Sequence, residues 1–297
     1  METNFKQLYQ GDAEEILKTF PDNCIDLVVT SPPYDNLRHY NNSLDSSSWN
    51  HEKFKAIALQ LIRTLKDGGV IVWNVNDKVE NGSKSGTSLR QALFFIDNGL
   101  NYNDMMIWKK TNAMPQVRQP RYTQCHEPMF IFSKGKPKTF NPIMRQTKSG
   151  GKQYHSTGKK MGGENGRREL NYVVNTEMVD YNVWELPVAQ NKTLYNVNGK
   201  DIKHPAVFPY VLPYRHIQSW TNEGDVVLDP FAGSGTTLIA AKDLGRIPVG
   251  IECNPDYCGI IMQRLGNAEE KNKNEPKMFR YQLDLENVPT IGNFKLN

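Results

Sequence analysis

Short apolar runs predict a set of buried strands. The runs at 25–30 (IDLVVT), 70–75 (VIVWNV) and 129–133 (MFIFS) are continuous, rich in β-branched or aromatic residues and as long as typical strands. Two more, DVVLD (225–229) and IPVGIE (247–252), follow near the end of the chain. Unbroken hydrophobicity of this kind is typical of strands that are covered on both faces, as in a parallel sheet.

Helical patterns separate these runs. Apolar residues recur at helical spacing at 51–65 and at 87–100, where a hydroxyl is expected to cap the first turn. The stretch at 206–220 is predicted to be helical but bent or interrupted by its two prolines, and a last helix is predicted at about 255–265. Strands that alternate with helices predict an α/β fold with a mostly parallel twisted sheet flanked by helices.

A basic and polar segment between about residues 135 and 203 interrupts this alternation. It is rich in Gly, Lys, Asn and Gln and carries scattered aromatic residues. Between Lys134 and Arg168 there are ten Lys and Arg and one acidic residue, a local charge of +9 in a chain whose net charge is +4. Such a segment indicates contact with a polyanion, most simply nucleic acid. A solvated loop without such a partner is the alternative.

Composition argues against several other classes of protein. The 297 residues include no apolar run near the roughly 18 that a membrane helix needs. The N-terminal residues lack the apolar segment of a secretion signal. The cysteines at 24, 125, 253 and 258 do not have the spacing of a zinc site. We therefore expect a cytoplasmic protein with reduced thiols and no bound metal.

The sequence LDPFAGSGTT (228–237) places a glycine loop between a predicted strand and a predicted helix. Gly233 and Gly235 allow the backbone to approach a ligand, and the start of the helix offers free N–H groups. A dinucleotide loop would have a third glycine where this chain has Leu238, which argues against a pyrophosphate ligand. Glu252, at the end of the next strand, can accept hydrogen bonds from both hydroxyls of a ribose, unless it is a surface acid that caps a helix. An adenosine ligand without phosphates fits this combination, and S-adenosylmethionine is the first candidate.

The sequence TSPPY (30–34) follows another buried strand and therefore lies at the same edge of the sheet. Two consecutive prolines fix the backbone. The Ser31 hydroxyl and a carbonyl of Pro32–Pro33 can then hold both hydrogens of an exocyclic amine on a nucleobase, which favours a tetrahedral nitrogen whose lone pair can attack a methyl donor. Tyr34 can stack on the base. A surface polyproline turn without chemistry is the alternative.

Together, TSPPY and DPFAGSGTT resemble the catalytic motif and the cofactor loop of the DNA amino-methyltransferases, which methylate N4 of cytosine or N6 of adenine. Their order is similar to that of the β group of this family, and the resemblance extends from about residue 11 to 265. It implies a Rossmann-like methyltransferase domain that uses S-adenosylmethionine. The implied parts are a catalytic half at 1–134, a target-recognition insert at 135–203, a cofactor-binding half at 204–270 and a C-terminal extension at 271–297.

The resemblance also assigns roles to individual residues. Asp12 matches the acid that accepts from the adenine amine of the cofactor, and the segments IWKK (107–110) and HEPMFIFSKG (126–135) resemble those that line the target-base side. The implied catalytic residues are Ser31, Pro32, Pro33 and Tyr34. The implied cofactor-binding residues are Asp12, Thr30, His204, Phe208, Asp229, Pro230, Phe231, Gly233, Ser234, Gly235, Thr236, Glu252 and Asn254. The implied DNA contacts are Lys152, Lys159, Lys160, Arg167 and Arg168.

Double-stranded DNA is the partner that the resemblance implies, with the target base flipped out because a stacked base cannot reach the cofactor. Ser31 favours cytosine, since family members with Asp at this position act mostly on adenine. The alternatives are an adenine-N6 enzyme, methyl transfer to RNA or to a protein amide, and a DNA-binding regulator without activity. The implied role is restriction-modification or epigenetic marking. The recognition sequence, a homodimer and a cognate restriction endonuclease stay open.

Overall fold

The structure, a computed structural model, describes residues 5–33, 49–114, 121–159, 167–188, 195–197, 200–202 and 209–272. The chain divides into a larger unit, Met1–Phe140 with Asn182–Asn297, and a smaller unit, Asn141–Tyr181. Among the described residues, no helix combines the length and the apolar character that a membrane span requires.

The helices and strands follow the predicted alternation. The helices are α1 (Ala13–Lys18), α2 (His51–Thr64), α3 (Thr87–Asp97), α4 (Val211–Trp220), α5 (Thr236–Asp243) and α6 (Pro255–Asn272). The strands are β1 (Leu8–Gln10), β2 (Ile25–Thr30), β3 (Leu65–Asn74), β4 (Val79–Glu80), β5 (Ser83–Lys84), β6 (Asn101–Lys110), β7 (His126–Ser133), β8 (Met144–Gln146), β9 (Gln153–Lys159), β10 (Arg167–Val173), β11 (Glu177–Val179), β12 (Val183–Leu186), β13 (Tyr195–Val197), β14 (Lys200–Ile202), β15 (Val226–Asp229) and β16 (Ile247–Glu252). Each predicted strand and helix is present, and β2 and β16 have the predicted bounds.

An eight-stranded sheet forms the centre of the larger unit, in the order β1-β16-β15-β2-β3-β7-β6-β12. Neighbouring strands are parallel except where β7 pairs with β3 and β6, and both of those pairs are antiparallel. The predicted mostly parallel, Rossmann-like α/β fold is therefore confirmed. The carboxyl ends of β2, β3, β6, β15 and β16 and the amino end of β7 share one edge, which we call the rim.

Helices cover both faces of the sheet. On one face, Leu17, Phe54 and Phe95 from the first three helices pack against the inward side chains of the central strands. On the other face, Ile217 of α4 and Ala240 of α5 pack against alternate residues of the same strands. All six residues of β2 are buried, because both of its faces and both of its edges are covered.

Two helix ends differ from the predictions. The N-cap of α3 is Gly86, whose φ of 68° lies in the left-handed region and which has no side chain to cap the helix. The Thr87 N–H donates to the Ser85 hydroxyl at 3.4 Å, and the Ser88 N–H donates to Asp77 Oδ1 at 2.9 Å. Of the stretch predicted to be a bent or interrupted helix at 206–220, residues 206–208 lie outside the described residues, and Pro209 precedes the helix. The helix begins at Val211, and Pro213 lies in its first turn, where an N–H has no intrahelical partner to lose.

The predicted insert contains both the smaller unit and a strand of the main sheet. In the smaller unit, β9 and β10 form an antiparallel two-stranded ribbon, and β8 pairs with β11. The strand β12 instead pairs in parallel with β6, where Trp108 Nε1 donates to the Leu186 carbonyl at 3.0 Å. The boundaries assigned to the insert stay a prediction.

Candidate active site

The two motifs that carry the predicted chemistry leave neighbouring strands. Leu27 and Val28 of β2 are in register with Val227 and Leu228 of β15. The TSPPY and DPFAGSGTT sequences therefore enter the rim side by side. Pro32 is buried, and Ser31 and Pro33 are half-buried, so the proline pair is part of the folded rim rather than an exposed turn.

Asp229, the last residue of β15, is held entirely by protein groups. Its Oδ1 accepts from the Thr30 hydroxyl at 2.6 Å and from the Phe231 N–H at 3.1 Å, and its Oδ2 accepts from the Thr237 hydroxyl at 2.7 Å. The side chain is 2% exposed. Burial raises the pKa of this carboxyl above its ordinary value, while the three hydrogen bonds act in the opposite direction.

The glycine loop between β15 and α5 is fixed from several sides. Gly235 is the N-cap of α5 with a φ of 80°, and a Cβ at this position would lie 3.0 Å from Ile261 Cγ1. Arg264 of α6 donates to the Ser234 carbonyl and hydroxyl. The Ser234 hydroxyl also lies 3.4 Å from that of Thr236, the first residue of α5. Pro230 is buried in the turn that starts the loop.

Glu252, the last residue of β16, is joined to the glycine loop. Its Oε2 accepts from the Gly233 N–H and its Oε1 from the Asn254 N–H, each at 2.8 Å. Because its side chain is only 8% exposed, it is not a surface acid. Burial raises the pKa of this carboxyl, opposed mainly by the two backbone hydrogen bonds. Asn254 caps α6 instead, with Oδ1 accepting from the Asp256 N–H at 2.9 Å.

Asp12 caps α1 and forms an ion pair that the sequence does not reveal. Its Oδ1 accepts from the Glu14 and Glu15 N–H groups and from Lys53 Nζ, the last at 2.8 Å. The loop before α1 reaches the rim through the Gly11 N–H, which donates to the Glu252 carbonyl at 2.9 Å. The segments that carry Asp12 and Glu252 therefore lie next to each other at the rim. No local pattern relates Lys53 to Asp12, since 41 residues separate them.

Phe231 lies beside Asp229 in an aromatic cluster. Its ring is edge-on to Trp49, with centroids 5.3 Å apart, and to Trp73 of β3 at 6.3 Å. Trp49 is a site neighbour that sequence reasoning missed, because it stands alone just before α2. The cluster fixes Phe231 against the sheet.

A second group of polar residues lies at the rim on β3, β6 and β7. Lys110 Nζ is 2.5 Å from Glu127 Oε1, and Asn74 Nδ2 is 3.5 Å from Glu127 Oε2. Glu127 and Asn74 are buried. Sequence reasoning found only the segments that contain Lys110 and Glu127, since the pairing of antiparallel β6 and β7 brings the charges together.

The predicted DNA contacts lie on or beside the β9–β10 ribbon. Lys152 is exposed just before β9, and the register pairs Lys159 with Arg167 and Gly158 with Arg168. Tyr154 and Tyr172 stack with ring centroids 5.8 Å apart. His155 Nδ1 lies 2.5 Å from Asn171 Oδ1 in the neighbouring cross-strand pair. Four predicted site residues, Tyr34, Lys160, His204 and Phe208, lie outside the described residues.

The groups at the rim suit an adenosine ligand without phosphates. Asp12 and Glu252 offer carboxylate oxygens, which accept from an amine and from hydroxyls. Gly233 and Gly235 have no side chains, so a ligand can approach the backbone beside Glu252. This donor set fits S-adenosylmethionine.

Comparisons with known proteins support a methyltransferase that uses S-adenosylmethionine. The model of the DNA methylase family N6_N4_Mtase matches residues 25–263. The orphan methyltransferase M.BamHII of Bacillus amyloliquefaciens is 44% identical over 249 residues, which cover 83% of this chain and 90% of that protein. The M1.HpyAVI complex with S-adenosylmethionine has a TM-score of 0.54 and 25% identity over 87% of this chain and 98% of that one. PvuII DNA methyltransferase, described as cytosine-N4-specific, has a TM-score of 0.61 and 22% identity over 90% of this chain and 89% of that one.

With the family model covering most of the chain and the two motifs adjacent at the rim, this chain belongs to the N6/N4 DNA methylase family and is a DNA methyltransferase that uses S-adenosylmethionine.

Proposed function

We propose that this enzyme methylates the exocyclic N4 amine of a cytosine that is flipped out of duplex DNA at a specific sequence. The observation that carries the proposal is the position of Ser31. It directly follows the buried end of β2, beside the strand that leads into the glycine loop, and a buried proline follows it. The family's association of Ser at this position with cytosine supports the choice of base.

Ser31 and the proline pair act by accepting hydrogen bonds from the target amine. The lone pair of the cytosine amine is delocalised into the ring, so the nitrogen is a poor nucleophile until its geometry becomes tetrahedral. The Ser31 hydroxyl and a carbonyl of the proline pair accept its two N–H groups, and these hydrogen bonds are strongest when the nitrogen is tetrahedral. The bound cofactor supplies an electrophilic methyl group. As the N–C bond formed, the bond between the methyl group and the sulfur of the cofactor would break and leave a neutral thioether. The amine would become positively charged and acidic and would release one of the held protons to water.

Glu252 and Asp12 are the proposed acceptors for the adenosine part of the cofactor. Each oxygen of Glu252 accepts one backbone N–H, and Oε1 also accepts from the Cys253 thiol, a weak donor, at 3.6 Å. Because a carboxylate oxygen has two lone pairs, Oε2 can accept one ribose hydroxyl directly, and Oε1 can accept another in place of the thiol. Asp12 uses Oδ1 for its helix cap and for Lys53, whereas Oδ2 accepts no hydrogen bond from the described residues. That oxygen is the proposed acceptor for the adenine amine.

The β9–β10 ribbon is the proposed DNA-reading element of the smaller unit. A two-stranded antiparallel ribbon fits the major groove of B-form DNA. Lys159, Arg167 and Arg168 lie at the end of the ladder that residues 160–166 connect, and Lys152 lies at the other end, just before β9. His155 and Asn171 are an exposed cross-strand pair with amide and imidazole groups that can contact base edges. Basic residues would then contact phosphates, and the polar pair would read bases.

Mass spectrometry of nucleosides tests the proposal. The enzyme and S-adenosylmethionine are incubated with unmethylated genomic DNA, with the same DNA denatured, and with RNA. We expect N4-methylcytosine in duplex DNA alone. N6-methyladenine as the single product would refute the choice of base, and product in RNA alone would refute the choice of substrate.

A further inference from the structure

We infer that Thr30, Asp229 and Thr237 form a positioning device, here called the Asp229 bridge, that sets the distance between the catalytic motif and the cofactor loop. This inference depends on the methyltransferase activity but not on which base is methylated. Thr30 and Asp229, which the sequence assigned to cofactor binding, would then act through their neighbours.

The bridge connects three separate elements. Thr30 is the last residue of β2, Asp229 is the last residue of β15, and Thr237 is the second residue of α5. The hydroxyl contacts at 2.6 and 2.7 Å use different oxygens of the same carboxylate. In sequence, Thr30 and Asp229 are 199 residues apart. One side chain therefore links the start of the catalytic motif to both ends of the glycine loop.

The surroundings of Asp229 argue against direct contact with the cofactor. All three of its partners donate, so the ionised carboxylate suits them and three of its roughly four acceptor positions are filled. Asp229 is 2% exposed and Thr30 is 1% exposed. About one acceptor position remains, but this depth of burial leaves a ligand almost no access to it.

The position of the bridge gives it a consequence for the reaction. Thr30 immediately precedes Ser31, and the Phe231 N–H that Asp229 accepts belongs to the cofactor loop. Removal of the Thr30 hydroxyl frees the catalytic motif to shift relative to that loop. In methyl transfer the nucleophile and the methyl group must be aligned, and a misplacement of about 1 Å can lower the rate by about 10²-fold.

Buried threonines elsewhere provide a matched control. Thr64 is 0% exposed, and its hydroxyl donates to the Gln60 carbonyl at 2.9 Å within α2, at the edge of the sheet opposite the rim. Thr64→Val, like Thr30→Val, removes the hydroxyl of a buried threonine. A purely structural role for Thr30 would make the two variants alike.

The experiment compares Thr30→Val, Thr30→Ser, Thr237→Val and Thr64→Val. Cofactor affinity is measured by calorimetry, thermal stability by circular dichroism, and kcat and KM by methyl transfer to genomic DNA. For Thr30→Val we expect kcat to fall about 10- to 100-fold while the Kd for S-adenosylmethionine changes less than about threefold. Thr30→Ser keeps the hydroxyl and should recover most of the lost kcat, and Thr64→Val should retain kcat.

Because both hydroxyls act through Asp229, the double variant Thr30→Val with Thr237→Val should lose less activity than the two single losses combined. The inference is overturned if Thr30→Val weakens cofactor binding while kcat is unchanged, which would make Thr30 a cofactor ligand. It is also overturned if Thr30→Val and Thr64→Val lose the same activity for the same loss of thermal stability. If the bridge variants behave as expected but the enzyme methylates a base other than cytosine, only the proposed function is refuted.

Discussion

Replacement of Glu252 tests the cofactor assignment most directly. In Glu252→Gln the side chain keeps its size and one carbonyl oxygen but loses the charge and the second acceptor. Loss of one charge-assisted hydrogen bond weakens binding by roughly 1.5–3 kcal/mol, which is about ten- to a hundredfold in Kd. We expect a weakening of this size for S-adenosylmethionine.

Glu252→Ala would be harder to interpret. It leaves the N–H groups of Gly233 and Asn254 without an acceptor in a buried place, at a cost to folding of about 1–3 kcal/mol each. The Gln variant limits this damage. Glu223→Gln is its control, because Glu223 is exposed in the turn before β15, at the opposite edge of the sheet.

The pH dependence of binding gives the same test a second readout. Burial raises the Glu252 pKa above the ordinary 4.5, so in the ligand-free protein the carboxylate becomes protonated at a higher pH than an exposed glutamate. Ribose hydroxyls that donate to the ionised form would lower this pKa. Affinity should therefore be constant at high pH and fall as the pH drops through the raised value. In Glu252→Gln this decline should be absent.

Isothermal titration calorimetry at a series of pH values measures both effects. The ribose assignment is refuted if Glu252→Gln binds S-adenosylmethionine as tightly as the wild type does. It is equally refuted if the variant retains the decline at low pH. Circular dichroism of each variant shows whether the fold is intact.

Three further predictions follow from the rim and the ribbon. Ser31→Ala should leave the Kd for S-adenosylmethionine unchanged and lower kcat by about 10²-fold or more, the scale for loss of one preorganised polar group, as single-turnover methylation would show. Neutralisation of Lys159, Lys160, Arg167 and Arg168 should flatten the plot of log DNA affinity against log salt by about 0.9 for each lost phosphate contact. Neutralisation of the exposed Lys18 and Lys84 and the half-buried Lys55 should not. Lys110→Met leaves the buried Glu127 without its cation and should lower the free energy of unfolding by about 3–5 kcal/mol in urea titrations, while Lys109→Met, at an exposed pair, should change it by less than about 1 kcal/mol.

The sequence predicted those parts of the site that depend on local signals. Continuous apolar runs located β2, β15 and β16, and the residues that follow these strands must lie at one edge of a parallel sheet. Gly235 was recognisable because the turn into α5 requires a positive φ. The sequence alone therefore predicts that Ser31 and Glu252 lie at the same edge of the sheet.

The partners of these residues could not be predicted, because they come from distant parts of the chain. Lys53 reaches Asp12 only through the packing of α2 against α1. The pair of Lys110 and Glu127 depends on the antiparallel register of β6 and β7. At the N-terminus of α3, the Ser88 N–H donates to Asp77, eleven residues earlier, and the local sequence pattern did not predict this acceptor.

Asp229 and Glu252 show how partners change the role that a motif implies. The resemblance assigned both acids to the cofactor, and burial raises the pKa of both. Glu252 accepts one backbone N–H on each oxygen, from Asn254 and from the glycine loop, and its Oε1 also accepts from the adjacent Cys253 thiol at 3.6 Å. Asp229 accepts two side-chain hydroxyls that no backbone ladder requires, from two elements on either side of it. Because these hydroxyls belong to β2 and α5, the carboxylate joins the ends of both elements. The two proposals therefore give the acids different roles: Glu252 would contact the ligand, and Asp229 would position the rim at which the ligand and the base must meet.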